Sequence, residues 1–285
     1  MQRKDLGDLL RQRKHLIMPG AFNAFSAKQI AEAGYDGVYI SGAGLSNSLG
    51  IPDDGTLSLD DFIYTGTWIA KAVDVPVICD ADTGFEDIGE TVQRYIGAGF
   101  SGLHIEDQVS PKRCGHLPGK EVVAKDEMAG RIEQACKIRN RHGPGFFIIA
   151  RTDARGASNI DGDHQLEESI RRGNLYREAG ADMIFPESLK TREEFKRYRE
   201  EVPGYLLANM TEFGNTPFIQ AREFFDLGYN IVIFPVSLFR YQAGRTRNFL
   251  SQLREDGHQE NLAREMMTRA EINSLINYKP READD

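Results

Sequence analysis

Cysteine is scarce: the 285 residues hold three, Cys79, Cys114 and Cys136, with no C-x-x-C pair among them. An odd, widely spaced set offers neither a disulfide framework nor a structural zinc site, so reduced thiols are expected. Long apolar runs are missing too. None approaches the roughly 20 residues that a membrane span needs, and the charged stretch Met1-Gln-Arg-Lys-Asp5 lacks the apolar core of a signal peptide. No membrane partner and a cytoplasmic location are expected. Basic runs are absent as well: 35 Lys+Arg stand against 43 Asp+Glu, a formal charge of -8. Nothing forms the positive stripe that a phosphate backbone demands, so nucleic acid is excluded as a general partner and a small molecule is left.

What the chain does have is eight short apolar runs. They are Leu16-Ile-Met-Pro19, Gly37-Val-Tyr-Ile-Ser41, Val75-Pro-Val-Ile-Cys-Asp80, Gly102-Leu-His-Ile-Glu106, Phe146-Phe-Ile-Ile-Ala-Arg151, Asp182-Met-Ile-Phe-Pro-Glu187, Tyr205-Leu-Leu-Ala-Asn209 and Asn230-Ile-Val-Ile-Phe-Pro235. Nearly continuous rather than alternating, they read as parallel strands buried on both faces. Helix signals stand between them: residues 26–33 before Gly34, a cap at Ser58-Leu-Asp-Asp61, residues 125–139 with Met128, Ile132, Ala135 and Cys136 on one face, and a capping box at Thr191-Arg-Glu-Glu194. About eight β-α units predict an α/β fold, a TIM-type (β/α)8 barrel, for which about 250 residues is typical. A doubly wound sheet is the alternative, and it gathers its ligands at a single switch point.

Residues 240–255 and 261–276 predict two more helices that barrel closure does not require. This C-terminal extension, residues 240–278, is expected to cover the barrel or pack on a neighbouring subunit. Residues 1–285 are then a single barrel domain that forms an oligomer.

Barrel sites lie at the C-terminal ends of the strands. Those ends carry Ser41 with Gly42 and Gly44, then Asp80 and Asp82, Glu106 and Asp107, Arg151 and Asp153, Glu187, and Asn209 with Thr211 and Glu212. Asp80-Ala-Asp82 offers hard oxygen ligands suited to Mg²⁺ or Mn²⁺, with a pair of loop caps as the plainer reading. Glu106, Asp107 and Glu187 could hold the waters of such a metal. Residues 110–120, Ser110-Pro-Lys-Arg-Cys-Gly-His-Leu-Pro-Gly-Lys120, set Cys114 among Lys112, Arg113 and His116. That electropositive setting favours thiolate and tunes the thiol as an acid or nucleophile, whereas Cys79 and Cys136 read as core filling. Arg151 with Asn209 and Thr211 suits a carboxylate, and Lys112, Arg113, Arg240 and Arg269 could add positive charge, so a polyanionic carboxylic acid is the expected substrate. For Arg240 and Arg269 alone, a surface ion pair is the plainer reading. His104, inside a strand, reads as a packed, hydrogen-bonded histidine.

Lys112-Arg-Cys-Gly-His116 resembles the signature loop of the isocitrate lyase and phosphoenolpyruvate mutase superfamily, in its lyase branch. Pro19-Gly-Ala-Phe-Asn23, Gly50-Ile-Pro-Asp53, Asp80-Ala-Asp-Thr-Gly-Phe85, His104-Ile-Glu-Asp-Gln108, Ala150-Arg-Thr-Asp153 and Ala208-Asn-Met-Thr-Glu-Phe-Gly214 are similar to further motifs of that family, from about residue 15 to Tyr278. The short chain most resembles the branch that cleaves 2-methylisocitrate to pyruvate and succinate. The resemblance implies Mg²⁺ on Asp80 and Asp82, and a catalytic set of Cys114, Tyr39, Lys112 and His116. It implies substrate contacts from Ser41, Gly42, Ala43, Asp53, Gly115, Arg151, Glu187, Asn209, Thr211, Arg240 and Arg269. It also implies a methyl-accepting wall at Phe185 and Ile233, and a homotetramer. Cleavage of 2,3-dimethylmalate or oxaloacetate stays open, because close relatives share the loop and strand ends. So does the departure from the common pattern at Asp54 and Glu86. A phosphonomutase, or a binding protein without activity, fits the lyase-type loop less well.

Overall fold

A computed structural model of the chain describes residues 4–112, 115 and 119–279. The apolar runs become β1 (Leu16–Pro19), β2 (Val38–Ile40), β3 (Val77–Asp80), β4 (Gly102–Glu106), β5 (Phe147–Thr152), β6 (Met183–Pro186), β7 (Tyr205–Asn209) and β8 (Ile231–Phe234). They form one parallel sheet in the order β1-β8-β7-β6-β5-β4-β3-β2. Its two ends meet where Gly20 bridges Tyr39 and the Ala21 amide donates to the Tyr39 carbonyl at 2.8 Å. That seam is a single isolated bridge, against continuous ladders elsewhere. Glycine is needed beside it, since a Cβ on Gly20 would fall 1.8 Å from the Pro235 carbonyl oxygen. The barrel expectation holds, and the doubly wound alternative does not.

The helices are α1 (Leu6–Arg13), α2 (Ala24–Glu32), α3 (Gly42–Ser48), α4 (Leu59–Lys71), α5 (Ile88–Gly97), α6 (Lys125–His142), α7 (Gln165–Glu178), α8 (Arg192–Glu201), α9 (Ala221–Asp226), α10 (Ser237–Asp256) and α11 (Arg269–Leu275). Strand alternation sorts the apolar side chains into two layers. Leu16, Met18, Ile149, Leu207, Ile231 and Ile233 fill the ring, with Leu6, Leu9 and Leu10 of α1 packed into the same cluster at the end where the strands begin. Val232, Ile148, Ile105 and their like face outward onto the helices.

Local chemistry explains the helix boundaries. The helix expected over residues 26–33 starts earlier, because Asn23 accepts from the Ser26 amide at 2.8 Å and makes Ser26 its third residue. Ser58 and Asp61 form the expected capping box on α4. Thr191 caps α8, but the Glu194 carboxylate turns to Arg155, with 2.7 Å between Arg155 Nη2 and Oε1, instead of completing a box. The single helix expected over residues 261–276 is two pieces. A 3-10 stretch, Glu260–Glu265, ends at Met266 in extended backbone, and Thr268 then caps α11 through a box with Glu271. In α10, 20 residues long, no residue is buried. Among the described residues no helix is long and apolar enough to cross a membrane.

Candidate active site at the strand ends

A cavity of about 180 Å³ opens at the C-terminal ends of the strands. Tyr39 and Ser41 reach it from β2, Asp80 from β3, Glu106 from β4 and Arg151 from β5, while Phe185 and Glu187 come from β6 and Asn209 and Thr211 from β7. Ala43 of α3, Asp53, Lys112 and Gly115 from loops and Arg240 of α10 add to the wall. Gly42 takes part through its amide, which donates to Asp80 Oδ2 at 3.1 Å.

The acidic side is short of positive charge. Asp80 is buried, and burial works against its ionisation, but His104, Lys112 and Arg151 outweigh that and hold it at about 2. Asp82 is pushed up to about 7, by burial first and by Asp80 and Asp53 next, against the pull of Lys112. Lys112 Nζ lies 2.5 Å from Asp82 Oδ1 and 2.8 Å from Asp53 Oδ1, so one ammonium serves two carboxylates. Burial also pushes Glu106 well above the usual carboxylate range, against Arg151, and its Oε1 has no hydrogen-bond partner among the described residues. These groups fit a divalent cation. The orphaned Glu106 oxygen and the carboxylates around Asp80 supply hard oxygens. Among the described residues, no three His, Cys, Asp or Glu side chains converge into a ready metal cage. Hard oxygens of this kind suit Mg²⁺, which takes one or two carboxylates and fills its octahedron with water and substrate oxygens.

Arg151 anchors the other side. Asp153 accepts from its Nε at 2.8 Å and from Nη2 at 3.0 Å, while Glu106 Oε2 lies 3.2 Å from Nη1 and Glu187 Oε2 lies 3.6 Å from Nη2. The guanidinium also lies over the Phe185 ring at 5.2 Å. Asn209 Nδ2 donates to Glu187 Oε2 at 3.1 Å, and Thr211 Oγ1 accepts from Arg240 Nη1 at 3.2 Å. Gly115 packs directly on this cluster, since a Cβ there would fall 2.3 Å from Arg151 Nη2. Tyr39 Oη lies 2.6 Å from His104 Nε2. Burial lowers His104 to about 4 and raises the Tyr39 phenol well above its ordinary value, so the two meet as neutral imidazole and neutral phenol. His104 is thus the packed, hydrogen-bonded residue expected of it.

Four of the expected positions do not line this cavity, and the first is Asp82, which lines a second cavity that shares Lys112 with this one. Asp107 follows Glu106 on a strand end and therefore faces the other way. Its Oδ2 takes Arg172 at 3.0 Å and Tyr176 at 2.8 Å from α7, and its Oδ1 takes the Asp153 amide at 2.8 Å. It ties α7 to β5 rather than holding a metal's water. Ile233 is fully buried in the ring, and Pro235 and Val236 line the cavity in its place. Arg269 is exposed at the start of α11, near the contact of Gln29 Nε2 with Met267 Sδ at 3.9 Å. Arg113, Cys114 and His116 lie outside the described residues. Sequence reasoning gave no role at the cavity to Phe213, which lines the rim, is 91% exposed and sits 5.6 Å from Arg240. Glu212, which accepts from both Ser237 and Arg240, reads from the sequence only as a strand-end residue. A signal was present, since both residues directly follow Thr211 in the chain.

The ring of strands and the polar mouth at their C-terminal ends define an enzyme of the (β/α)8 barrel class. The phosphoenolpyruvate phosphomutase family matches residues 6–254, and the chain belongs to that family. It is 42% identical over 287 residues to the probable 2-methylisocitrate lyase 2 of Corynebacterium glutamicum, covering 100% of this chain and 91% of that protein. It is also 42% identical over 273 residues to the 2,3-dimethylmalate lyase of Eubacterium barkeri, covering 94% and 92% of the two chains. Among solved structures, phosphonopyruvate hydrolase in complex with oxalate and Mg²⁺ matches with a TM-score of 0.82 at 29% identity, covering 96% of this chain and 94% of that one.

Proposed function

We propose that the protein is a Mg²⁺-dependent carbon-carbon lyase that cleaves 2-methylisocitrate to pyruvate and succinate in the cytoplasm. The observation that carries this reading is the 42% identity across the whole chain to a probable 2-methylisocitrate lyase, together with the acids and the guanidinium that meet in one cavity. When bound, Mg²⁺ supplies Lewis acidity, orienting the substrate's hydroxyl and neighbouring carboxylate and lowering the hydroxyl's pKa. Asp80 and Asp82 are the side chains that would hold it. Arg151, with the Asn209 amide and the Thr211 hydroxyl, grips the distal carboxylate. The same donors stabilise the charge left on the succinate fragment when its bond to the pyruvate carbon breaks. That fragment takes a proton, and Cys114 is the acid assigned to deliver it. Tyr39 is the candidate to take the hydroxyl proton, and because its phenol is neutral it does so as its own proton passes to the neutral His104 Nε2, 2.6 Å away. Phe185 forms the apolar wall against which a methyl packs, and one methyl is worth only about 1–3 kcal/mol of discrimination. The equal identity to a 2,3-dimethylmalate lyase makes that acid the second reading.

The test measures product release from 2-methylisocitrate, isocitrate, 2,3-dimethylmalate and oxaloacetate, with Mg²⁺ and with chelator. The expected result is pyruvate plus succinate from 2-methylisocitrate at the highest kcat/KM, lost with chelator and restored by Mg²⁺. A Mg²⁺-dependent rise in Tm, read without substrate, should accompany it. A preference for dimethylmalate moves the assignment to the second reading, and silence on all four acids removes both.

The same proposal includes assembly as a homotetramer. Most helical stability in proteins comes from packing one face, and α10 buries no residue in this chain alone. Phe239, Ala243, Thr246 and Leu250 line one side of an open groove of about 700 Å³ between α10 and the barrel body. Their spacing of four, three and four residues is the seam that a like helix would fill, which makes a second copy of this chain the fitting occupant. Leu250→Glu is expected to shift light scattering from a tetramer to a smaller species. An unchanged mass would remove this interface.

A further inference from the structure

Lys120 is 1% exposed, among the largest fully buried side chains, yet it does not line the cavity. Its Nζ lies 3.0 Å from Asp153 Oδ1, and its stem passes 3.5 Å from where a Cβ on Gly156 would stand. Its carbonyl accepts from the Ser158 amide at 2.7 Å and the Ser158 hydroxyl at 3.1 Å, so both halves of the residue are pinned. Burying an ammonium is costly unless a partner repays it, and Asp153 is that partner. Asp153 in turn grips Arg151 through both of its oxygens. Arg151 first and Lys120 next hold the Asp153 carboxyl below its usual range in spite of burial. Gly115 leans on the same pair from the other side, 2.8 Å from Asp153 Oδ1 at its would-be Cβ, and its carbonyl accepts from Ser188 Oγ at 2.9 Å.

We propose that Lys120 is a positioning residue: it fixes the Asp153 carboxylate, which sets the plane of the Arg151 guanidinium, and so locks the end of the 110–120 segment to the group that grips substrate. The inference rests on the reading that Arg151 binds a substrate carboxylate. Misplacement of such a group by about 1 Å can cost about 100-fold in rate.

The experiment is a double-mutant cycle in kcat/KM on the acid that the wild type turns over best. Lys120→Met is expected to lower kcat/KM by about 10- to 100-fold. In an Arg151→Lys background, where the fork is already lost, it should lower it by less than about twofold, because coupled residues are not additive. Equal losses in both backgrounds would mean general scaffolding and overturn the proposal. Should Lys120→Met fail to fold, Lys120→Arg carries the test: a bulkier cation shifts Asp153, so a loss in the wild-type background that vanishes with Arg151→Lys supports positioning. An equal loss in both backgrounds, or none, overturns it. An Arg151→Lys variant with wild-type kcat/KM would instead sink the reading of Arg151 on which the inference rests.

Discussion

Arg151→Met is expected to lower kcat by about 100- to 1000-fold, the cost of deleting one preorganised donor that faces developing negative charge. The same change should destabilise the fold by about 3–5 kcal/mol, because it strands buried charge that the guanidinium neutralises. The structure identifies that charge. Asp153 carries it first, 2.8 Å from the guanidinium and held below its usual range by Arg151, with Glu187 Oε2 at 3.6 Å, whereas Glu106, at 3.2 Å, is pushed well above its usual range by burial. Arg151→Lys separates the two effects. It keeps the charge and most of the stability but loses the fork that meets a carboxylate with two parallel bonds. Kinetics and denaturant unfolding of the pair read this directly. A methionine variant as stable as wild type would mean that Asp153 needs no guanidinium beside it, and the electrostatic account of this cavity would fail.

Cys114→Ser is expected to reduce kcat by about 100- to 10,000-fold, the usual range for a positioned general acid, while KM moves by no more than about threefold. The sequence sets this thiol beside Lys112, Arg113 and His116, a basic setting expected to favour its ionisation, and a serine hydroxyl is a far weaker acid. The other two cysteines make the reasoning testable without kinetics. Burial raises the Cys79 thiol well above its ordinary value, and burial raises Cys136 to about 11. A thiolate-directed alkylating reagent at neutral pH should therefore label one site of three, Cys114, and abolish turnover as it does so. Labelling at Cys136 with full activity retained would argue against the assignment.

The fold was readable because β-branched and apolar residues run continuously through each strand, a pattern that only a strand buried on both faces tolerates. Runs such as 102–106 and 205–209 coincide with β4 and β7 residue for residue. The site was readable for a related reason: carboxylates, an arginine and an asparagine at the ends of apolar strands have no role in a core. What escaped was geometry finer than strand ends. The period of two along a strand should have turned Asp107 away from Glu106, and it does. Ile233 shares the ring cluster with Ile231 and pairs in register with the cavity residue Asn209, yet its own side chain is packed in the ring and does not line the cavity, which the pattern alone does not reveal. Arg269 depends on where α11 lies after a 3-10 stretch and a fresh cap, and no local rule fixes that placement. Lys120 reads only as the end of a basic loop, since nothing in a sequence distinguishes a buried lysine from a solvated one.

The thin join between β1 and β2 bears on how experiments at position 39 are interpreted. Tyr39 contributes twice: its backbone makes the bridge to Gly20 and accepts from the Ala21 amide, while its phenol meets His104 at the mouth. Its ring also stacks on that imidazole, centroids 5.8 Å apart, so the side chain helps hold together the place where the circle of strands has least ladder of its own. A truncation to alanine therefore confounds chemistry with closure, and a dead enzyme from it would say nothing about proton transfer. Phenylalanine keeps the ring and the bridge while removing a single oxygen, which makes it the informative replacement at this residue.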